Sequence, residues 1–166
     1  MDIHRSHFDS LMGVRHEPNT HELELYERTE KYIRTIRWIP GIEMIAVVNS
    51  LSMYATHPDS DIDLFVVTEP RMIWFVRLCM TIQFFFQGVW RHGEAIRGNF
   101  CLSFFVTTEA LDMHDIAIEN DIYLYYWVYY LKPIYDRDHV YDDFLRANAW
   151  VEIPETQKSE NRKFLI

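Results

Sequence analysis

Two periods of apolar residues divide the chain into elements. Leu25, Thr29, Tyr32, Ile33 and Ile36 recur at helical spacing. Asn19 followed by Glu22 predicts a capping box at the start of that helix. Glu22, Glu24 and Glu27 lie early in it and Lys31, Arg34 and Arg37 late, as the helix dipole favours, and Pro40-Gly41 ends it. The unbroken run IEMIAVV, residues 42–48, predicts a buried strand, and residues 50–55 a short helix after it. After a loop over residues 56–60, residues 61–67 (DIDLFVV) predict a second strand in which acidic and apolar residues alternate. Glu69-Pro70 opens a long helix over residues 72–90. A basic, Gly-containing loop (91–98) then leads to a third strand, NFCLSFFV, residues 99–106. Two more helices are predicted over residues 121–131, ended by Lys132-Pro133, and 140–149.

This order implies an α/β (α+β) domain over residues 19–153, with a small mixed sheet and flanking helices. Residues 1–18 lack clear periodicity and predict a flexible N-terminal arm. Residues 154–166 predict a polar, frayed C-terminal tail. A chain of 166 residues suits one domain that buries roughly two thirds of its unfolded surface, without a metal or disulfide staple.

The net charge of −9 argues against general nucleic-acid binding, which needs cationic surface. Cys79 and Cys101 lie in apolar runs without CxxC spacing and predict free thiols. Residues 72–90 are nearly apolar, but Arg77, Thr81, Gln83 and Gln87 interrupt them. A membrane span needs about 20 mostly apolar residues, so a buried amphipathic helix is expected here, and no span. No apolar leader precedes residue 17, and the expected location is cytoplasmic.

The strongest chemical signal begins at Asn49-Ser50, continues through ten residues and ends in Asp61-Ile62-Asp63. Residues i and i+2 of a strand share a face, so Asp61 and Asp63 project together while Ile62 and Leu64 enter the core. Two adjacent carboxylates repel, and a divalent cation relieves the repulsion. Mg²⁺ (or Mn²⁺) takes oxygen ligands of this kind and shares them with substrate phosphates. Ser50, after a strand and at a helix start, is placed to meet phosphate oxygens.

The segment VVNSLSMYATHPDSDIDLFVV, residues 47–67, resembles the signature of the nucleotidyltransferase superfamily related to DNA polymerase beta, in its minimal-domain form. The resemblance extends in element order over residues 20–150. It implies metal-dependent transfer of a nucleoside monophosphate from an NTP to an acceptor. Asp61 and Asp63 would be the catalytic metal ligands, and Asn49, Ser50 and Ser60 would lie against the nucleotide. Asn49 stands where that family has glycine. The strand expected to carry its third carboxylate has no Asp or Glu, and Cys101 and Ser103 take the inward positions. The same resemblance therefore allows a catalytically degraded nucleotide-binding or protein-interaction module of the same fold.

His57, Arg91, His92 and Arg97 are loop residues able to meet phosphates, although a solvated loop explains them as well. Glu94 and Glu109 flank the third strand at spacing that suits no ligand role. Asp136, Asp138, Asp142 and Asp143 are expected to cap and solvate a helix start. Tyr123, Tyr125, Tyr126, Trp127, Tyr129 and Tyr130 could stack a base, but they are expected rather to pack in the core or to mediate association with a protein partner or a second copy.

Overall fold

The structure is a computed structural model that describes residues 2–93 and 96–166, with side chains from residue 7 onward. It is a mixed α+β domain. Strands β1 (Ile42–Val47), β2 (Ile62–Thr68), β3 (Phe100–Thr107) and β4 (Lys132–Asp136) form one sheet in the order β3-β2-β1-β4. β1 runs antiparallel to both β2 and β4, and β2 runs parallel to β3.

Helices cover both faces, and each strand distributes its side chains between them. Ile45, Val47, Ile62, Leu64 and Val66 join a core with α2 (Thr20–Ile36) and α4 (Ile73–Phe86). Met44, Ala46, Phe65 and Val67 join a second core with α5 (Ile122–Tyr130) and α6 (Val140–Ala147). Burial on both faces is why β1 is apolar at nearly every position. The short α3 (Asn49–Ser52) follows β1 directly.

The capping box forms as the sequence predicts. Asn19 Oδ1 accepts from Glu22 N at 2.9 Å, and the Asn19 N–H donates to Glu22 Oε2 at 2.9 Å. Glu22 is fully buried, and its Oε1 also pairs with Arg15 and accepts from Thr56 Oγ1. The capping carboxylate thereby ties the helix start to the loop after α3.

Four features differ from expectation. Residues 1–18 contain a helix, α1 (Asp2–Met12), with Phe8 lying 4.1 Å from Tyr126 between ring centres. The C-terminal segment forms α7 (Glu155–Asn161) and a 3-10 turn over Arg162–Phe164. Its polar composition conceals three anchors: Asn161 is fully buried, Phe164 stacks on Tyr26 at 3.7 Å, and Ile166 N donates to Ile134 O. Lys132-Pro133 begins β4 as well as ending the preceding helix. Proline fits there because β4 is an edge strand and its pairing shifts register between Ile45 and Ala46, beside Pro133.

Finally, α4 is buried along one stripe only, through Val76, Met80 and Phe84, while most of its other large residues face outward. Among the described residues no helix is long and apolar enough to cross a membrane.

Candidate functional site

The site forms where β1 ends and β2 begins. Val48 is extended and holds the strand ends together, its N–H donating to Asp63 O at 3.1 Å. Asn49 then turns the chain into α3 with φ of 60°, in the left-handed region. That conformation costs an L-residue roughly 1–2 kcal/mol, and Asn tolerates it best after glycine. Here the Asn49 side chain is also engaged. Its Nδ2 donates to Asp63 Oδ2 at 2.8 Å, and its Oδ1 accepts from Tyr123 Oη at 2.8 Å. Asparagine thus occupies a glycine-type backbone position and uses its amide to orient Asp63.

Asp61 and Asp63 project to one side, as strand alternation requires, and meet Cys101 of β3. Ligand atoms of the three all lie within 4.8 Å of one another. Asp63 and Cys101 are register partners across the parallel β2–β3 pair, which accounts for the approach. No other such cluster of His, Cys, Asp and Glu occurs among the described residues.

Burial, then the Asp63 charge, raise the Asp61 carboxyl above the usual aspartate range, against the lowering effect of Arg91. Arg91 Nε sits 3.1 Å from Asp61 Oδ2, and the Asp61 side chain is 18% exposed. That Oδ2 is buried and has no hydrogen bond of good geometry, so Arg91 meets it as a charge only.

Burial also raises the Cys101 thiol, against hydrogen bonds from Ser103 and Arg91. Ser103 Oγ lies 2.8 Å from Cys101 Sγ, and the Arg91 guanidinium donates to the same sulfur at 3.5 Å. Tyr123 Oη is raised by burial and by the Asp63 charge, and remains a hydrogen-bond donor.

Two converging carboxylates, Asp63 in β2 and Asp61 just before it, one with a buried oxygen lacking a hydrogen bond, suit a hard divalent ion such as Mg²⁺ or Mn²⁺. Asp61 and Asp63 would hold it. Sulfur is a softer donor than a carboxylate oxygen, so Cys101 suits Mg²⁺ less well than Asp61 and Asp63 do.

The remaining candidates separate clearly. Ser50 is half-buried in α3, one residue beyond Asn49. The Ser60 hydroxyl accepts from His57 N at 2.8 Å, and Ser60 N donates to His57 O, so Ser60 closes its own turn. Ser103 is exposed and reaches the site through Cys101. Among the described residues of the basic loop, Arg91 alone enters the cluster. His92 stacks on Trp90, Arg97 is exposed, and Glu94 lies outside the described residues.

The acidic group near α6 is used locally. Asp136 accepts from Tyr141 N, Asp142 pairs with Arg162, and Asp143 pairs with Arg146. Tyr126, Trp127, Tyr129 and Tyr130 are buried, whereas Tyr123 stands half-exposed at the start of α5 and reaches Asn49. Grouping Tyr123 with the packing aromatics missed this role. Its place at the polar start of an apolar helix, just after Asp121, was the available signal.

Compared with known proteins, the chain matches no family model, and no curated protein matches it.

Proposed function

We propose that the chain is a nucleotidyltransferase-type protein that uses a divalent cation to transfer a nucleoside monophosphate from an NTP to an acceptor. The observation that carries this reading is the convergence of Asp61 and Asp63 beside the Asn49-Ser50 turn, the arrangement the motif resemblance implies. Asp61 and Asp63 would bind the cation, which supplies charge neutralisation for the triphosphate and its leaving group. Asn49 holds the Asp63 carboxylate through one hydrogen bond, and Tyr123 steadies the Asn49 amide through a second. Ser50, at the turn into α3, offers its hydroxyl to phosphate oxygens.

The experiment is isothermal titration of Mg²⁺ or Mn²⁺ with each NTP, alongside a pyrophosphate-release assay. Wild type is expected to bind nucleotide only with the metal and to release pyrophosphate. Asp61→Asn and Asp63→Asn are expected to lose both. No nucleotide binding by wild type, or unchanged binding by the variants, would sink the proposal.

A second reading, the same fold retaining nucleotide binding without transfer, is favoured by one observation. Cys101 faces Asp63 where a third carboxylate would complete a two-ion site, and Arg91 already neutralises Asp61. On this reading wild type binds metal and NTP without releasing pyrophosphate. Cys101→Asp, which supplies the missing oxygen ligands, is the variant expected to gain turnover.

A further inference from the structure

The outer face of α4 bears Trp74, Phe75, Leu78, Ile82, Phe85 and Phe86, all substantially exposed, with Trp74 at 78% and Phe86 at 81%. Their spacing places them along the side of the helix opposite Val76, Met80 and Phe84, which are buried. The stripe is about 18 Å long at the helical rise. An aromatic side chain carries about 150–250 Å². Scaled by their exposures, the six residues present on the order of 700 Å² of apolar surface. The largest apolar patch on a typical monomer is about 300–600 Å². One side of a standard protein interface takes about 800 Å².

We infer that this face is where two copies of the chain meet, with their α4 helices crossing about a two-fold axis. Two observations select a second copy. The area is close to what each partner of a stable dimer contributes. Between residues 72 and 90 the only charge is Arg77, whose guanidinium is spent over the Phe105 ring at 5.5 Å. A face without charges offers a foreign protein little electrostatic basis for selection, but it is complementary to itself under two-fold symmetry. Homodimer interfaces are accordingly the more apolar class. A lipid surface fits less well. Helices that lie on membranes flank their apolar face with Lys and Arg, whereas this helix carries one arginine on a chain of net charge −9.

An antiparallel crossing places the Trp74 end of one copy over the Phe86 end of the other, and Leu78 and Ile82 near the axis. The nucleotide site is not required for this contact, so its fate and that of the dimer are separable.

The test is sedimentation equilibrium of the full chain over a wide concentration range, repeated for Leu78→Glu. Wild type is expected at twice the chain mass, and Leu78→Glu at one chain mass, with association weakened at least a hundredfold. Far-ultraviolet circular dichroism reports whether the variant keeps its fold. Should Leu78→Glu unfold, Phe86→Gln decides the matter, because its side chain is four-fifths exposed and substitution there spares the core. A wild type at one chain mass throughout, or at masses above two chains, overturns the inference. So does a folded variant that still dimerises. A monomeric wild type that co-sediments with phosphatidylcholine–phosphatidylserine vesicles assigns the face to lipid and overturns it as well.

Discussion

Asn49 holds a left-handed backbone and two side-chain hydrogen bonds at once, so its substitutions separate the two contributions. Asn49→Ala is expected to cost about 1–3 kcal/mol in urea denaturation, from the strained φ and the lost bond to a carboxylate. Asn49→Gly loses the same bonds without the strain, and is expected to be about 1 kcal/mol less damaging than alanine. Lys132 offers a pH-dependent case. It is nearly fully buried, its Nζ lies 4.6 Å from the Tyr54 ring centre, and burial lowers it to about 8. The folded protein therefore releases this proton more readily than the unfolded chain. The cost of keeping Lys132 charged is fully present below about pH 8 and fades as pH rises toward the ordinary lysine value of about 10.4. Lys132→Met is expected to gain about 1–3 kcal/mol at neutral pH after losing the ring contact. That gain should shrink through the same window in denaturation curves taken as a function of pH. Asp61 and Asp63 were legible as a pair because strand alternation alone sets their shared face. Arg91 and Tyr123 were not legible as their neighbours. Both lie far along the chain, and only folding brings them to Asp61 and Asn49.

At the scale of elements, the terminal segments show how few contacts can anchor a polar stretch. Asn161 Nδ2 donates to Tyr129 O at 2.9 Å and to Tyr141 Oη at 3.2 Å, locking α7 onto α5 and α6. Asn161→Ala is expected to cost about 1–3 kcal/mol. It should also raise amide exchange across α7 and the following 3-10 turn before the rest of the molecule, as measured by hydrogen exchange. The central helices and strands were readable because each has a regular apolar period over many residues. β4 was hidden because a proline inside a five-residue strand reads as a break, and only its edge position and the adjacent register shift make it compatible with pairing. The resemblance sets Ser60 against the nucleotide, and the structure shows its hydroxyl oxygen also accepting from His57 N within the loop. A loop's internal hydrogen bonds carry no sequence period to reveal them.

For the whole molecule, the net charge of −9 and the apolar α4 face act in opposite directions on the inferred association. Apolar burial draws the copies together, while long-range repulsion between like-charged molecules opposes their approach. The Debye length falls from about 30 Å at 0.01 M salt to about 8 Å at physiological ionic strength. The association constant is therefore expected to rise several-fold over that range, measured by sedimentation at each salt concentration. An interface held by opposite charges would weaken instead.

By itself the sequence determined the α+β class, the three strands and the helices that build most of the domain, and the pairing of Asp61 with Asp63. Each rests on a local period or a local steric rule that short segments obey wherever they are placed. Tertiary structure decided what stands around that pair. It set Cys101 opposite Asp63 through strand register, brought Arg91 and Tyr123 in from distant loops and helix starts, and folded the polar ends onto the body. It also decided which side of an almost uniformly apolar helix is covered. When nearly every residue of α4 is apolar, composition names no inner face; the packing of Val76, Met80 and Phe84 onto the sheet does, and it leaves the opposite stripe facing outward.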